Sequence, residues 1–183
     1  MSTIRRETRE TRILLTLRRP EGGAPEGQVA TGERFLDHML ATFGRYAGLE
    51  LSVQAEGDLR HHLIEDVAIA LGLALREEIP ESCTRYGDAT IVMDDALVQV
   101  ALDVGGRPFY EGPIPSGLYD HFLRSLADNA AMTLHVRVLR GRDRHHMVEA
   151  AVKALGLALR TALAPGEAVF STKGAVRVER EEE

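Results

Sequence analysis

The stretch His61 to Leu75 reads HHLIEDVAIALGLAL, and the stretch His145 to Leu159 reads HHMVEAAVKALGLAL. At this offset of 84 residues, nine of the fifteen positions are identical. Upstream, Asp37-His38-Met39-Leu40 is matched by Asp120-His121-Phe122-Leu123 at an offset of 83. A period this long does not describe a solenoid. It describes two half-domains of similar build within one domain spanning residues 1–183, divided at about 1–87 and 88–183. Duplicated packing alone would account for the shared LGLAL. It does not account for the duplicated His-His and Glu, which are poor core residues.

The flanking pattern supports two equivalent halves. Thr11, Ile13, Leu15 and Leu17 alternate with Arg12, Thr16 and Arg18, and Leu49, Leu51, Val53 and Ala55, then Ala96, Val98, Val100, Leu102 and Val104, then Met132, Leu134, Val136 and Val138 recur at every second position; each predicts a half-buried strand. Phe35, Leu36, Met39, Leu40 and Phe43 recur at helical spacing, which places His38 on a helix. A second helix carries the first repeat segment and stops at Pro80. His121 and the second repeat segment lie on two further helices. Pro20 to Gly27 is turn chemistry, and Glu179 to Glu183 reads as a solvated tail. Strands followed by helices in each half predict an α/β protein whose sheets are covered by helices.

Composition narrows the function. The chain has 183 residues, 44% hydrophobic and 27% charged, within the range of one ordinary globular domain. A net charge of -6 disfavours nucleic acid as a partner. The single cysteine, Cys83, excludes a disulfide framework. No apolar run reaches the roughly 20 residues that span a bilayer. The N-terminal MSTIRRETRETR lacks the apolar segment of a signal peptide, so a cytoplasmic location without membrane attachment is expected.

The histidines carry the chemistry. His61 and Glu65 are four residues apart on a helix, as are His145 and Glu149, which sets an imidazole and a carboxylate on one face. His62 and His146 are rotated by about 100° and face elsewhere. With His38 and His121 the set is six histidines and two glutamates, enough for two ions with four ligands each. Such donors suit Mn, Fe, Co, Ni or Zn better than Ca or Mg. His135 has no counterpart in the first half and is expected to be a structural or surface residue. Arg85, Arg107, Lys153 and Ser171-Thr172-Lys173-Gly174 are candidate anion contacts. Lys153 stands out because its counterpart in the first half is Ile69.

These blocks, with Glu10-Thr11, Thr31-Gly32, Gly57-Asp58, Arg85-Tyr86-Gly87, Gly106-Arg107-Pro108 and Thr133-Leu134-His135, resemble the imidazoleglycerol-phosphate dehydratase family nearly end to end. The resemblance implies an α+β sandwich with the helices packed together between two sheets. It also implies a lyase (a hydro-lyase) of histidine biosynthesis and two Mn²⁺ per active site. The implied assembly is a homo-oligomer of 24 subunits with sites between subunits, and the implied substrate is a phosphorylated imidazole. Carried over, His38, His61, His62, Glu65, His121, His145, His146 and Glu149 are metal ligands. Glu10, His38, Arg85, Arg107, Lys153, Ser171, Thr172 and Lys173 contact substrate. The chain departs from the family at Arg60, where acidic residues are usual, and in a shorter link from Gly57-Asp58 to His61. It departs again at Leu63, at Asp95 within Asp94-Asp95-Ala96-Leu97, and at Asp143.

The implied reaction removes water from imidazoleglycerol phosphate to give imidazole acetol phosphate. The hydrogen removed is not next to a carbonyl, so the substrate's imidazole must act as the electron reservoir, held as a metal-bound imidazolate. Glu149 and Glu10 are the candidate proton-transfer groups, and sequence does not choose between them. The rival readings are a dinuclear metallohydrolase and a non-catalytic metal-binding shell.

Overall fold

The structure is a computed structural model that describes residues 1–20 and 27–166. Four strands form the first sheet: β1 (Ser2–Glu7), β2 (Thr11–Arg18), β3 (Val29–Ala30) and β4 (Glu50–Gly57), in the order β1-β2-β4-β3. Its helices are α1 (Arg34–Ala47) and α2 (Arg60–Glu78). The second sheet repeats the plan with β5 (Tyr86–Met93), β6 (Ala96–Asp103), β7 (Phe109–Glu111) and β8 (Thr133–Arg140), in the order β5-β6-β8-β7. Its helices are α3 (Gly117–Ala130) and α4 (Arg144–Ala162). In each sheet three strands run antiparallel, and the short edge strand pairs parallel with its neighbour. The expected α/β sandwich of two duplicated halves is therefore what the chain forms. The expected readings for Pro20 to Gly27 and for Glu179 to Glu183 fall largely or wholly outside the described residues.

Alternation explains the strands. In β2 Thr11, Ile13, Leu15 and Leu17 are buried, and in β6 Ala96, Val98, Val100 and Leu102 occupy the same inward positions. The helices fill the space between the sheets. α2 rests on β1 and β2 and α4 on β5 and β6, while across the halves α2 packs on α3 and α4 on α1. With a sheet on one side and a helix on another, α2 and α4 are apolar around much of their circumference, as buried helices are.

The duplicated LGLAL has the packing cause expected of it. A Cβ at Gly72 would lie 2.7 Å from the Asn129 Cβ and 2.8 Å from the Leu126 carbonyl oxygen of α3. A Cβ at Gly156 would lie 2.8 Å from the Tyr46 Cβ and 3.0 Å from the Ala47 nitrogen of α1. Both glycines let a backbone from the opposite half approach closely, and these crossings bring the helix starts of the two halves together.

Gly→Ala usually favours a helix by about 1 kcal/mol. Here the added methyl meets backbone that cannot swing away, an overpacking cost of roughly 1–3 kcal/mol. Gly72→Ala and Gly156→Ala are each expected to lower the melting temperature of the chelated protein. A rise in either would show that the crossings yield easily.

Candidate metal centres and the family they define

Each histidine-bearing helix is fixed near its start by an aspartate. In α1, Asp37 accepts from the Thr31 hydroxyl (2.6 Å) and backbone N–H (2.8 Å), tying the helix to the segment after β3. In α3, Asp120 accepts from the Tyr110 hydroxyl (2.7 Å) and the Ile114 N–H (3.0 Å). The Asp-His pairs of the sequence thus combine an anchor with a ligand candidate. α2 is held through Asp66, which takes Arg6 at 2.8 Å and the Thr11 hydroxyl. α4 begins at Asp143, whose carboxylate accepts the His145 N–H at 2.7 Å.

The cross-half helix pairs assemble two clusters of three donors, with the donor atoms of each within 4.8 Å of one another. Where α1 meets α4, His38 Nε2 lies 3.4 Å and His145 Nε2 3.2 Å from Glu149 Oε2. Where α2 meets α3, His61 Nε2 lies 3.3 Å from Glu65 Oε2, and His121 Nε2 lies 3.1 Å from Glu65 Oε1. The imidazole rings stack loosely, 6.3 Å apart in the first cluster and 5.5 Å in the second.

These separations fit a cation. Ligands about 2.0–2.2 Å from a divalent ion at right or tetrahedral angles stand roughly 2.8–3.6 Å apart. His121 Nε2 gives an independent sign. It is buried and makes no properly directed hydrogen bond, despite the nearby Glu65 oxygen. An unsatisfied imidazole nitrogen among carboxylate and imidazole donors is what a metal ligand looks like without its metal. Two histidines and one carboxylate per cluster suit a first-row divalent ion.

His62 and His146 join neither cluster. Each turns the other way and is gripped at Nδ1 by an aspartate. Asp58 lies 2.8 Å from His62, and Asp95 lies 2.6 Å from His146. A donated Nδ1–H would leave Nε2 as the ligating nitrogen, the usual way a carboxylate orients a ligating histidine, and at His146 that nitrogen has Asp94 3.4 Å away. The grip raises both histidines, each chiefly through its hydrogen bond to aspartate. Asp58 is lowered chiefly by its hydrogen bond to His62. Asp95 falls to about 2, through His146 first and then the Arg142 and Asp143 N–H groups. Sequence reasoning named both aspartates but gave neither a role beside a histidine. Asp58 had a visible signal, one helical turn before His62, whereas Asp95 comes from the β5–β6 turn. The shortened link before His61 therefore retains an orienting carboxylate, and Arg60 turns aside to Glu33 at 3.1 Å.

The remaining candidates divide by location. Glu10, on the β1–β2 turn, lies 3.6 Å from His62 Nδ1 with its side chain half exposed. Lys153 pairs with Glu149 at 2.7 Å and is largely buried. Burial raises Glu149, but the hydrogen bond and charge of Lys153, helped by His38, outweigh it, and the net shift is downward. Arg85 is held by Asp103 through contacts of 2.7 and 3.1 Å, and that hydrogen bond raises it. The Arg85 N–H donates to the Ala162 carbonyl at the far end of α4, and its own carbonyl accepts from Val104, three residues before Arg107. At 1.5 Å per residue, α4 puts this end about 25 Å from His145. The chain does not bring Arg85 and Arg107 to its own clusters. His135 is exposed on β8 beside the Phe109 ring, as expected of a surface residue. Ser171, Thr172 and Lys173 lie outside the described residues. A cavity of about 400 Å³, large enough for a small metabolite, opens beside His145 and is lined by Phe35, Arg60, Tyr119 and Arg144.

Fold and site together define a duplicated α/β sandwich with two histidine–carboxylate centres suited to divalent metal ions. Residues 31–159 match the family model for imidazoleglycerol-phosphate dehydratase. An imidazoleglycerol-phosphate dehydratase of Pyrococcus furiosus is 42% identical over 180 residues, covering 93% of this chain and 99% of that protein. The histidine biosynthesis bifunctional protein HisB of Stenotrophomonas maltophilia is 43% identical over 96% of this chain and 52% of its own length. The crystal structure of the dehydratase from Pyrococcus furiosus, in complex with (S)-C348, superposes with a TM-score of 0.84 at 41% identity, covering 94% of this chain and all of that one. The chain belongs to the imidazoleglycerol-phosphate dehydratase family of hydro-lyases. Among the described residues no helix is long and apolar enough to cross a membrane.

The aspartate grip carries a pH signature. A histidine raised by folding stabilises the fold fully below its unfolded value, near 6.5, and loses that contribution as pH climbs through the raised value. Asp95, lowered to about 2, stays ionised throughout that range. In chelated protein, Asp95→Asn is expected to lower the melting temperature more at pH 5.5 than at pH 9. An equal deficit at both values would mean that His146 charge plays no part.

Proposed function

We propose that the protein dehydrates imidazoleglycerol phosphate to imidazole acetol phosphate in histidine biosynthesis, with two manganese ions per active site. The observation carrying this reading is the pair of cross-half clusters, His38–His145–Glu149 and His61–Glu65–His121, in a chain of this family. When bound, the ions supply Lewis acidity at the substrate's imidazole nitrogens, making the ring an electron reservoir for an otherwise unactivated elimination.

The chain's own residues then have separate tasks. Glu149 is buried, paired with Lys153 and surrounded by two imidazoles, which suits a ligand and leaves it poorly placed to exchange protons. Glu10 is half exposed, and Asp58 already holds His62, so the Glu10 carboxylate is available. We assign Glu10 the proton on the substrate carbon next to the one that loses hydroxide. The resulting enol becomes the ketone, and the balance is one water lost.

Four ligands per ion are completed by His62 and His146, whose gripped rings face away from their own chain's clusters. Arg85 and Arg107, about 25 Å along α4 from His145, are too far away for one small phosphate ester to touch both groups within one chain. Both facts support a site shared between copies in a homo-oligomer, with 24 subunits as the proposed assembly. Arg85, Arg107, Lys153, Ser171, Thr172 and Lys173 are the proposed phosphate contacts, with His38 and Glu10 nearer the ring and glycerol carbons. The cytoplasm is the proposed location.

Chelated protein is expected to lose dehydration of imidazoleglycerol phosphate and to recover it on addition of Mn²⁺. Phosphoester hydrolysis in its place would establish the metallohydrolase, and no turnover would establish the shell. Glu10→Gln should lower kcat by about 10²–10⁴ while leaving KM and the metal count near normal. Glu149→Gln should instead lower the metal count. The reverse pattern would exchange the two roles.

A further inference from the structure

The two clusters have the same donors but do not present them equally. Glu65 turns one oxygen to each histidine, Oε2 to His61 at 3.3 Å and Oε1 to His121 at 3.1 Å. Glu149 turns a single oxygen, Oε2, to both His38 and His145. Its Oε1 is taken by the Lys153 ammonium at 2.7 Å. Lys153 is one helical turn from Glu149, and the same position in α2 is Ile69. The lysine is held in place, its side chain 15% exposed, near the Tyr46 ring and Met93 Sδ. Duplication thus supplies an internal control: one helix position, cationic beside one cluster and apolar beside the other.

We infer that the clusters are unequal ion sites, tight at α2–α3 and loose at α1–α4, and that Lys153 sets the difference. The inference rests on the reading that the clusters hold divalent ions. Two effects act together. Lys153 occupies an oxygen that could otherwise turn to the ion and offsets the carboxylate's charge. It also holds a positive charge within one side-chain length of the incoming cation. Burial of Glu149 opposes this by strengthening its attraction for any cation. The lysine already exploits that burial from hydrogen-bonding distance, so the pair forms at the ion's expense. Partners next to a ligand typically change metal affinity by about 10- to 100-fold, and that is the difference expected between the sites. The loose ion is the one beside a lysine proposed to meet substrate phosphate, so a phosphate that drew Lys153 away would free Glu149 for the ion.

The test is the number of manganese ions bound per chain by chelated full-length protein, at one protein concentration, across a series of buffered free Mn²⁺ concentrations. Two midpoints, about 10- to 100-fold apart, are expected for the unaltered protein. His121→Ala should remove the tight one and His38→Ala the loose one. Lys153→Ile, which installs the residue of the other half, should move the loose midpoint toward the tight one. Lys153→Arg should keep them apart. Ile69→Lys should loosen the tight site, which keeps the proposal testable if Lys153→Ile folds poorly. A single midpoint in the unaltered protein, or a loose site that Lys153→Ile leaves unmoved or weakens, overturns the inference. No substrate enters the titration, so a failed dehydration assay would leave its result standing. A chain that binds no Mn²⁺ at all would sink both.

Discussion

The close crossing of helices from opposite halves is the contact on which the rest of the structure depends. α1 with α4, and α2 with α3, approach so nearly that Gly156 and Gly72 have no room for a methyl group. Neither half holds a complete cluster. Glu65 and His61 come from α2 and wait for His121 of α3, and Glu149 and His145 come from α4 and wait for His38 of α1. The apolar face that buries the helices and the polar ends that gather the donors are therefore positioned by one contact. Folding energy in the core is converted into donor separations near 3 Å at the rim.

The two halves share this scaffold, and the chemistry that separates the two centres lies where their residues differ. Asp66 ties α2 to Arg6 and Thr11, while Ala150 at the same place in α4 is packed in the core. His146 is held by the turn aspartate Asp95, whereas His62 is held locally by Asp58, with the turn carboxylate Glu10 farther off at 3.6 Å. Ile69 faces Lys153 across the repeat. Each divergence changes charge beside a conserved geometry, so the two centres share a shape and differ in electrostatics.

Long alternations and the repeated segment were legible in the sequence because burial repeats along them. β2, β4, β6, β8 and α1 follow from apolar spacing, and α2, α3 and α4 from the repeat and its upstream Asp-His match. The edge strands were not legible. β1 reads as a charged arm because Thr3, Arg5 and Glu7 point to solvent, and it forms through its ladder with β2. β5 is half exposed in the same way, and β3 and β7 are too short to show a period. Six histidines and two glutamates were readable because they recur. Asp95 was not, since only the folded hairpin brings it to a histidine 51 residues later. The orphaned Nε2 of His121 is a property of three dimensions alone.

The position of the arginines shows how far one chain can go. Arg85 has a positive φ of 71° and sits where β5 leaves the end of α4, clamped by Asp103. That clamp fixes the guanidinium at the C-terminal end of a helix whose N-terminal end carries His145. A rigid helix of 19 residues separates them, and no side-chain rotation closes about 25 Å. Arg85 and Arg107, unlike Lys153, are thus kept apart from the histidine–carboxylate clusters of their own chain by the same core that positions those clusters. A ligand that needs both must meet the arginines of one copy and the histidines of another. Under the proposed function, assembly is then part of building the site, and His62 and His146, which join neither cluster of their own chain, are the groups that would join one chain's centres to the next.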